Sequence, residues 1–254
     1  MNLMIYFGKY FSRDNVIKQI RENLNFSIIW NDEINREDIL GQYNTKDKKI
    51  KIKNGLDEEK IKTVFFHEMI HCITTYNGLT GFINEYVLED IDDIKIYTCK
   101  GITEGFTEYL TMIRDKKYSK NPIKSYPILT KQTENLIELL GKEEFLSKAF
   151  TNPRVLEEFL SYEDVDSLLS AFDIIWKNEK ELYLSTNANE NKPKEKLLIA
   201  IFGGTPGYIK NKRKIDEAAK EIIEILSSII LKKNINTVED FIQVFNSIEE
   251  YSTQ

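Results

Sequence analysis

Both histidines of this 254-residue chain lie in one short stretch, TVFFHEMIHCIT, residues 63 to 74. His67 and His71 are four residues apart, and Glu68 directly follows the first of them. On an α-helix, positions i and i+4 differ by about 40° around the axis, so both imidazoles project from one face. Two imidazoles arranged in this way can hold one zinc ion at about 2.0–2.1 Å from each nitrogen. Glu68 points to the side of the pair, where its carboxylate can reach a water molecule without becoming a ligand.

The segment that begins at Asp57 is predicted to be the helix that carries these residues. Asp57 is a favourable N-cap, and Glu58 and Glu59 occupy the first turn, where the helix dipole favours negative charge. The residues that surround the histidines are uncharged, which is typical of a helix buried around a metal centre. They are Val64, Phe65, Phe66, Met69, Ile70, Cys72 and Ile73.

A catalytic zinc site needs a third protein ligand, and the chain has no third histidine to supply it. A carboxylate is therefore the favoured donor, and two segments compete for the role. NEYVLE contains Glu85 and Glu89, and TEGFTE contains Glu104 and Glu108. Each pair has i, i+4 spacing, so on a helix one carboxylate could bind the metal while the other hydrogen-bonds a ligating histidine. Spacing alone leaves Glu85, Glu89 and Glu104 open as the third ligand.

The stretch VFFHEMIHCI resembles the extended HExxH signature of the zincin metallopeptidases. ITEGFTEYLT resembles the helix of the gluzincins in which an E-G-x-x-E run follows the HExxH helix. This resemblance implies a zinc ion held by His67, His71 and Glu104, with Glu108 bonded to a ligating histidine. It also implies that Glu68 activates a zinc-bound water that attacks a peptide carbonyl. The gap from His71 to Glu104 is 33 residues (104 − 71), longer than in the thermolysin type.

Two further expectations concern the surroundings of the zinc ion. Gly105 lacks a Cβ, so we expect it to let the two zinc-binding helices approach closely. With no spare histidine, a tyrosine or arginine must stabilise the charge that develops on the substrate carbonyl. Tyr97, shortly before Glu104, is the first candidate, and Arg114, Tyr126 and Tyr208 are the others.

The segment KKIKIKNG, residues 48 to 55, is predicted to be a strand. Ile50 and Ile52 alternate with lysines, as in a strand with one solvated face, and the lysines favour a sheet edge. It resembles the zincin edge strand, along which that superfamily binds the substrate backbone in extended form. We therefore expect a peptide or protein substrate to lie along residues 49–53 through main-chain hydrogen bonds.

Composition and pattern define the class of protein around this motif. With 41% hydrophobic and 30% charged residues the chain is globular, and a net charge of −6 argues against a nucleic-acid or anionic-membrane partner. We see no signal peptide and no membrane span, and Cys72 and Cys99 are too few for a disulfide framework, which fits a cytoplasmic protein. Its oligomeric state is left open.

The predicted fold class is α+β and zincin-like. A lobe of residues 1–126 would carry a small sheet and both metal-binding helices, and a mainly helical lobe, 127–254, would complete one structural unit. The polar stretch 185–196 is the best candidate for a surface loop.

Three alternatives differ in what the zinc or the helices do. A catalytically silent or highly specific zincin fold could serve as a regulator or sensor. The ImmA/IrrE group, whose members act on regulators, has an upstream Gly-Tyr and strand pattern that resembles Gly41-Gln-Tyr43 and KIKIKN here. A closed zinc site with thiolates is disfavoured, because Cys72 projects from a different helical face than the histidines. A helical interaction protein without metal is the third.

Overall fold

The computed structural model describes residues 12–25, 28–31, 39–87, 94–118, 126–189 and 206–232. In chain order the first elements are α1 (Arg13–Asn23), β1 (Ile28–Asn31), β2 (Gly41–Asn44), β3 (Lys49–Lys53) and α2 (Glu58–Ile73). Four short strands follow, β4 (Thr75–Tyr76), β5 (Leu79–Thr80), β6 (Ile83–Val87) and β7 (Ile94–Thr98). The helical part comprises α3 (Lys100–Tyr118), α4 (Pro127–Leu140), α5 (Lys142–Ala149), a 3-10 helix (Val155–Glu158), α6 (Tyr162–Asn189) and α7 (Pro206–Lys232).

These elements make the described part of the chain an α+β structure in which helix predominates, as expected. None of the helices within the described ranges combines the length and the apolar character that a bilayer span requires. Helix α6 continues to Asn189, so the first part of the predicted loop 185–196 is helical, and the rest lies outside the described residues.

Helix α2 begins and is buried as its sequence predicts. The Asp57 side chain caps it by accepting a hydrogen bond from the Lys60 N–H at 2.9 Å. Its apolar residues lie in the core, with Phe66 and Ile70 at most 1% exposed. Apolar burial of this kind, rather than helix propensity, accounts for most of the stability of a helix in a protein. The helix is therefore a rigid support for the histidines near its end.

The strand with alternating lysines is in the middle of its sheet, not at an edge. The sheet order is β1-β3-β2, with β1 parallel and β2 antiparallel to β3. Ile50 and Ile52 are buried at 0% and 1% exposure, while the lysines alternate with them on the other face. A central strand with one solvated face has the same alternation as an edge strand, so the pattern could not separate the two. The edge beside α2 is β2.

The segment with Glu85 forms a strand, so its predicted helical face is wrong. Strands β6 and β7 pair antiparallel, with Glu85 opposite Ile96 and Asn84 opposite Tyr97. On a strand, positions i and i+4 are about 13 Å apart along the chain, rather than one helical turn. Glu89 lies outside the described residues.

The start of helix α3 is fixed on helix α6. The Gly101 N–H donates a hydrogen bond to the Asp173 carboxylate at 2.5 Å. A Cβ on Gly101 would meet the backbone of Phe172, so glycine is required for this close approach. The first turn of α3 is thereby positioned by two contacts to the helical part of the protein.

An aromatic cluster joins the elements on either side of position 126. The rings of Phe82 and Phe106 lie 5.3 Å apart, and Phe106 lies 5.8 Å from Phe150. Phe145 stacks on Phe82 at 6.2 Å. Because these rings come from both predicted lobes, the two share one core within the described residues.

Candidate metal centre

Three side chains that could bind a metal converge between helices α2 and α3. The Nε2 atoms of His67 and His71 are 3.2 Å apart. A carboxylate oxygen of Glu104 lies 3.6 Å from the Nε2 of His67 and 3.7 Å from that of His71. The three donor groups lie within 4.8 Å of one another, and among the described residues no other histidine, cysteine or carboxylate group forms such a cluster.

These separations fit one tetrahedral zinc ion. Ligand atoms at 2.0–2.1 Å from a tetrahedral ion are about 3.3–3.4 Å apart. The three observed separations bracket that value, so small side-chain movements would complete the geometry. Two neutral imidazoles and one carboxylate also leave a fourth position open, as a catalytic site requires. The donor set therefore suits a catalytic zinc more than a structural one.

The charged groups of the cluster and its neighbours shift one another's pKa. Burial lowers the pKa of His67, but Glu104, Glu108 and Glu68 outweigh it and raise that pKa to about 9. Burial likewise raises the pKa of Glu104, but His71 and His67 outweigh it and hold that pKa well below its usual range. A positive charge is therefore favoured at this point between the helices, which is the charge that a bound cation supplies.

The outer nitrogens of both imidazoles face partners on α3. The Nδ1 of His67 lies 3.5 Å from a Glu108 carboxylate oxygen. The Nδ1 of His71 lies 3.5 Å from the Thr107 hydroxyl oxygen, whose proton is donated to the Thr103 carbonyl at 2.8 Å. Each Nδ1 is thus opposite an acceptor, so in the neutral form of each imidazole the proton is favoured on Nδ1 and the lone pair on Nε2, which faces the cluster.

Glu68 lies beside the cluster and is held by strand β2. One of its carboxylate oxygens accepts a hydrogen bond from the Tyr43 backbone N–H at 2.6 Å. Glu68 is only 6% exposed, and burial raises its pKa. A Cβ on Gly41 would meet the side chains of Val64 and Glu68, so glycine lets the strand approach this close.

The three possible metal ligands, His67, His71 and Glu104, are called the metal cluster below. A cleft of about 770 Å³ opens over them. It is lined by the three possible metal ligands with Glu68 and Glu108, by the β2 segment, by the β5 strand and by residues of several helices. Tyr126 lines this cleft, whereas Arg114 is 7% exposed and bonds the Thr63 hydroxyl at 3.1 Å. Within the described residues Tyr208, on α7, is not part of the lining.

The structure brings together most of the residues that were predicted for the site. One cleft is lined by all five of the predicted acidic and histidine residues: His67, Glu68, His71, Glu104 and Glu108. Tyr97 lies on strand β7, and its side chain is outside the described part of the structure, so its role stays a prediction.

The predicted role of Gly105 is wrong. A Cβ at this position would meet the Thr133 hydroxyl and Leu129 of α4, not the helix that carries the histidines. Gly105 therefore allows α4 to pack closely on α3, while Glu104, about 100° away around the same helix, reaches the histidines.

Sequence reasoning missed two contributors. Thr107 could have been found from its position, since a residue three after Glu104 lies on the same helical face. The Tyr43 N–H could not, because a backbone donor leaves no trace in the residue type.

Comparisons of the chain with protein-family models, with curated proteins and with solved structures return no match.

Proposed function

We propose that this protein is a zinc-dependent metallopeptidase of the zincin type, with the gluzincin arrangement of ligands. The observation that supports this most is the convergence of His67, His71 and Glu104 at separations that suit zinc, with Glu68 beside them in the same cleft. The α+β fold agrees with the proposal without being specific to it.

In the proposed reaction each residue of the cluster has a separate task. His67, His71 and Glu104 would hold the zinc ion. The ion would act as a Lewis acid and lower the pKa of a bound water molecule to about 7. Glu68 takes the proton from the attacking water and gives it to the leaving amine. Burial raises the pKa of Glu68, which suits a group that must both accept and release a proton.

Strand β2 is the proposed docking edge for the substrate backbone. The Leu40 carbonyl accepts a hydrogen bond from the Lys53 N–H, so Leu40 faces β3. Facing alternates along an antiparallel strand, and Gly41 and Tyr43 therefore face the cleft. Since the Tyr43 N–H is bonded to Glu68, the Gly41 N–H and the two carbonyls of these residues are the groups that an extended peptide would meet.

Metal analysis and cleavage together test this proposal. Purified protein should contain about one zinc per chain by elemental analysis. It should cleave members of a proteome-derived peptide library, with the sites read by mass spectrometry. Glu68→Gln should retain zinc while its rate falls by at least about 100-fold, the usual contribution of a general base.

The outcomes separate the proposal from its rivals. Protein that binds zinc but cleaves no peptide would support the catalytically silent regulator or sensor instead. Protein without zinc would exclude both metal-dependent functions and leave the helical interaction protein. A Glu68→Gln variant as active as the wild type would contradict the assigned general base.

Tyr126 and Tyr97 can be compared as donors to the substrate oxyanion. Replacing the true donor by Phe should lower kcat by roughly 10²–10³-fold with little change in zinc content. The other Tyr→Phe variant serves as the control.

A further inference from the structure

Two lysines share one tryptophan ring beside the metal cluster. The Lys100 ammonium lies 5.7 Å from the centre of the Trp176 ring, and the Lys180 ammonium lies 5.2 Å from it. All three side chains line the same cleft as Glu104. Each ammonium gains from the ring electrons, and their distances to the ring centre place the two positive charges at most about 11 Å apart.

The backbone fixes where these charges stand. Trp176 and Lys180 are four residues apart on α6 and so lie on one face of that helix. Lys100 opens α3, whose next residue, Gly101, packs on the α6 backbone and bonds Asp173. The two lysines therefore approach the same ring from two helices that are held rigidly together.

Within the described residues these two lysines have no ion-pair partner, unlike several other lysines. Lys142 contacts Glu138 at 2.6 Å, and Lys148 contacts Glu144 at 2.9 Å. Across the described residues, by contrast, no carboxylate lies within ion-pair distance of Lys100 or Lys180. Burial raises the pKa of Asp173, and the Gly101 N–H that its carboxylate accepts, together with Lys100, only partly offsets this rise.

The distance along helix α3 relates this pair to the metal cluster. Lys100 precedes Glu104 by four residues, which is one turn and about 6 Å of rise. An extended peptide advances about 3.3 Å per residue. A group bound by the lysines would therefore belong to a residue within about three positions of the bond over the cluster.

We propose that Lys100 and Lys180, supported by Trp176, form a subsite that binds a carboxylate of the peptide substrate. Ammonium groups without a carboxylate partner favour this ligand, because charge-assisted hydrogen bonds are about twice as strong as neutral ones. The subsite selects substrates with an acidic group within three residues of the scissile bond. This inference rests on the proposed peptidase function.

Cleavage of matched peptides tests the selection. The probes are synthetic nine-residue peptides with amidated ends, taken from a sequence that the protein cleaves, with Asp or Asn at each position near the cut. Wild-type kcat/KM should be about tenfold or more higher for Asp than for Asn at one position, the value of one charged hydrogen bond. Lys100→Gln/Lys180→Gln should bring this ratio close to one.

The matched control removes the same charge elsewhere. Lys177 and Lys210 are exposed on α6 and α7 and do not line the cleft. Lys177→Gln/Lys210→Gln should keep the preference for Asp. If the control loses it equally, the effect is one of net charge and the subsite is wrong. Restoring the preference with Lys100→Arg/Lys180→Arg would support the charge assignment.

A free C-terminus distinguishes the two sources of a carboxylate. If peptides with a free C-terminal carboxylate are preferred and internal Asp has no effect, the subsite binds chain ends; if internal Asp suffices, it binds side chains. Either result supports carboxylate binding, and equal kcat/KM for every member of the set would overturn it.

A binding measurement separates failure of this inference from failure of the peptidase function. Fluorescently labelled Asp and Asn peptides are titrated into Glu68→Gln protein, and the Asp peptide should bind about tenfold more tightly. Because no cleavage is needed, a binding preference in this variant together with no turnover by the wild type would leave the subsite standing and refute only the peptidase. Equal binding of both peptides would refute the subsite even in an active enzyme.

Discussion

The metal cluster holds a partly buried glutamate and the junction of helices α4 and α6 a fully buried one, and the two regions compensate its charge differently. Glu104 lies within 3.7 Å of two imidazole nitrogens. Glu179 instead accepts hydrogen bonds from the backbone N–H groups of Ile128 and Leu129, at 2.9 and 3.0 Å, at the start of α4. One carboxylate faces titratable groups across a cleft, and the other faces fixed dipoles inside the protein.

The direction of the pKa shift separates the two situations. The imidazoles outweigh burial and lower the pKa of Glu104. At Glu179 burial prevails over the two backbone donors and, helped by Glu108, raises the pKa. Burial of a carboxylate is thus not by itself a sign of function. Convergence of several donors on one point of a cleft is the feature that distinguishes the metal cluster.

The largest expected effect is on metal binding. Glu104→Ala should weaken zinc binding by more than about 100-fold, because outer contacts alone are worth roughly 10–100-fold. Competition with a chromophoric chelator measures this affinity. Glu85→Ala and Glu89→Ala serve as controls and should leave the affinity unchanged. If Glu89→Ala weakens zinc and Glu104→Ala does not, the third ligand has been assigned incorrectly.

The second prediction concerns the helix junction. Glu179→Ala should lower the free energy of unfolding by about 2–3 kcal/mol, because two buried N–H groups lose their acceptor. Urea denaturation measures the change, with the exposed Glu221→Ala on α7 as the control. Zinc affinity should stay the same. A loss of zinc equal to that of Glu104→Ala would remove the distinction between the two regions.

Glu108 affects both regions, the metal cluster and the junction of α4 and α6. It faces the Nδ1 of His67 at 3.5 Å and also contributes to the raised pKa of Glu179. Glu108→Gln should weaken zinc binding by roughly tenfold, within the range for groups that orient a ligating histidine. Isothermal titration with zinc gives the value. An unchanged affinity would show that His67 needs no such partner.

The smallest effect is expected at Gly105. Gly105→Ala should cost about 1 kcal/mol, because crowding against Thr133 outweighs the gain in helix propensity. Adding Thr133→Ala should recover part of this loss in thermal unfolding. Zinc affinity should not change in either variant. A selective fall in zinc affinity would instead support the original expectation that Gly105 brings the two metal-binding helices together.

Local patterns predicted the local structure well. The cap at Asp57 and the one-sided placement of His67 and His71 follow from helix geometry within a few residues. The glutamate at 104 was identified only through resemblance to a known motif, since spacing gave Glu85 and Glu89 equal standing. What distinguishes Glu104 in the structure is its position beside His67 and His71, which depends on the packing of α3 on α2, a contact between segments that are distant in sequence.

Long-range packing accounts for the expectations that were wrong. The lysine alternation of β3 is set by one solvated face and says nothing of how many neighbours the strand has. The position of Gly105 depends on which helix lies behind α3, and this is fixed by α4 far along the chain. Neither relation is contained in the residues of the segment itself.

Because β2 and α2 approach closely at Gly41, a substitution there would change the distance between this strand and this helix without replacing a proposed metal ligand. A methyl group there would push β2 away from Val64 and lengthen the bond between the Tyr43 N–H and Glu68, and it would contact none of the three proposed metal ligands. Substitution at position 41 therefore offers protein engineering a way to change the proposed catalytic rate in small steps without replacing any charged residue of the cleft.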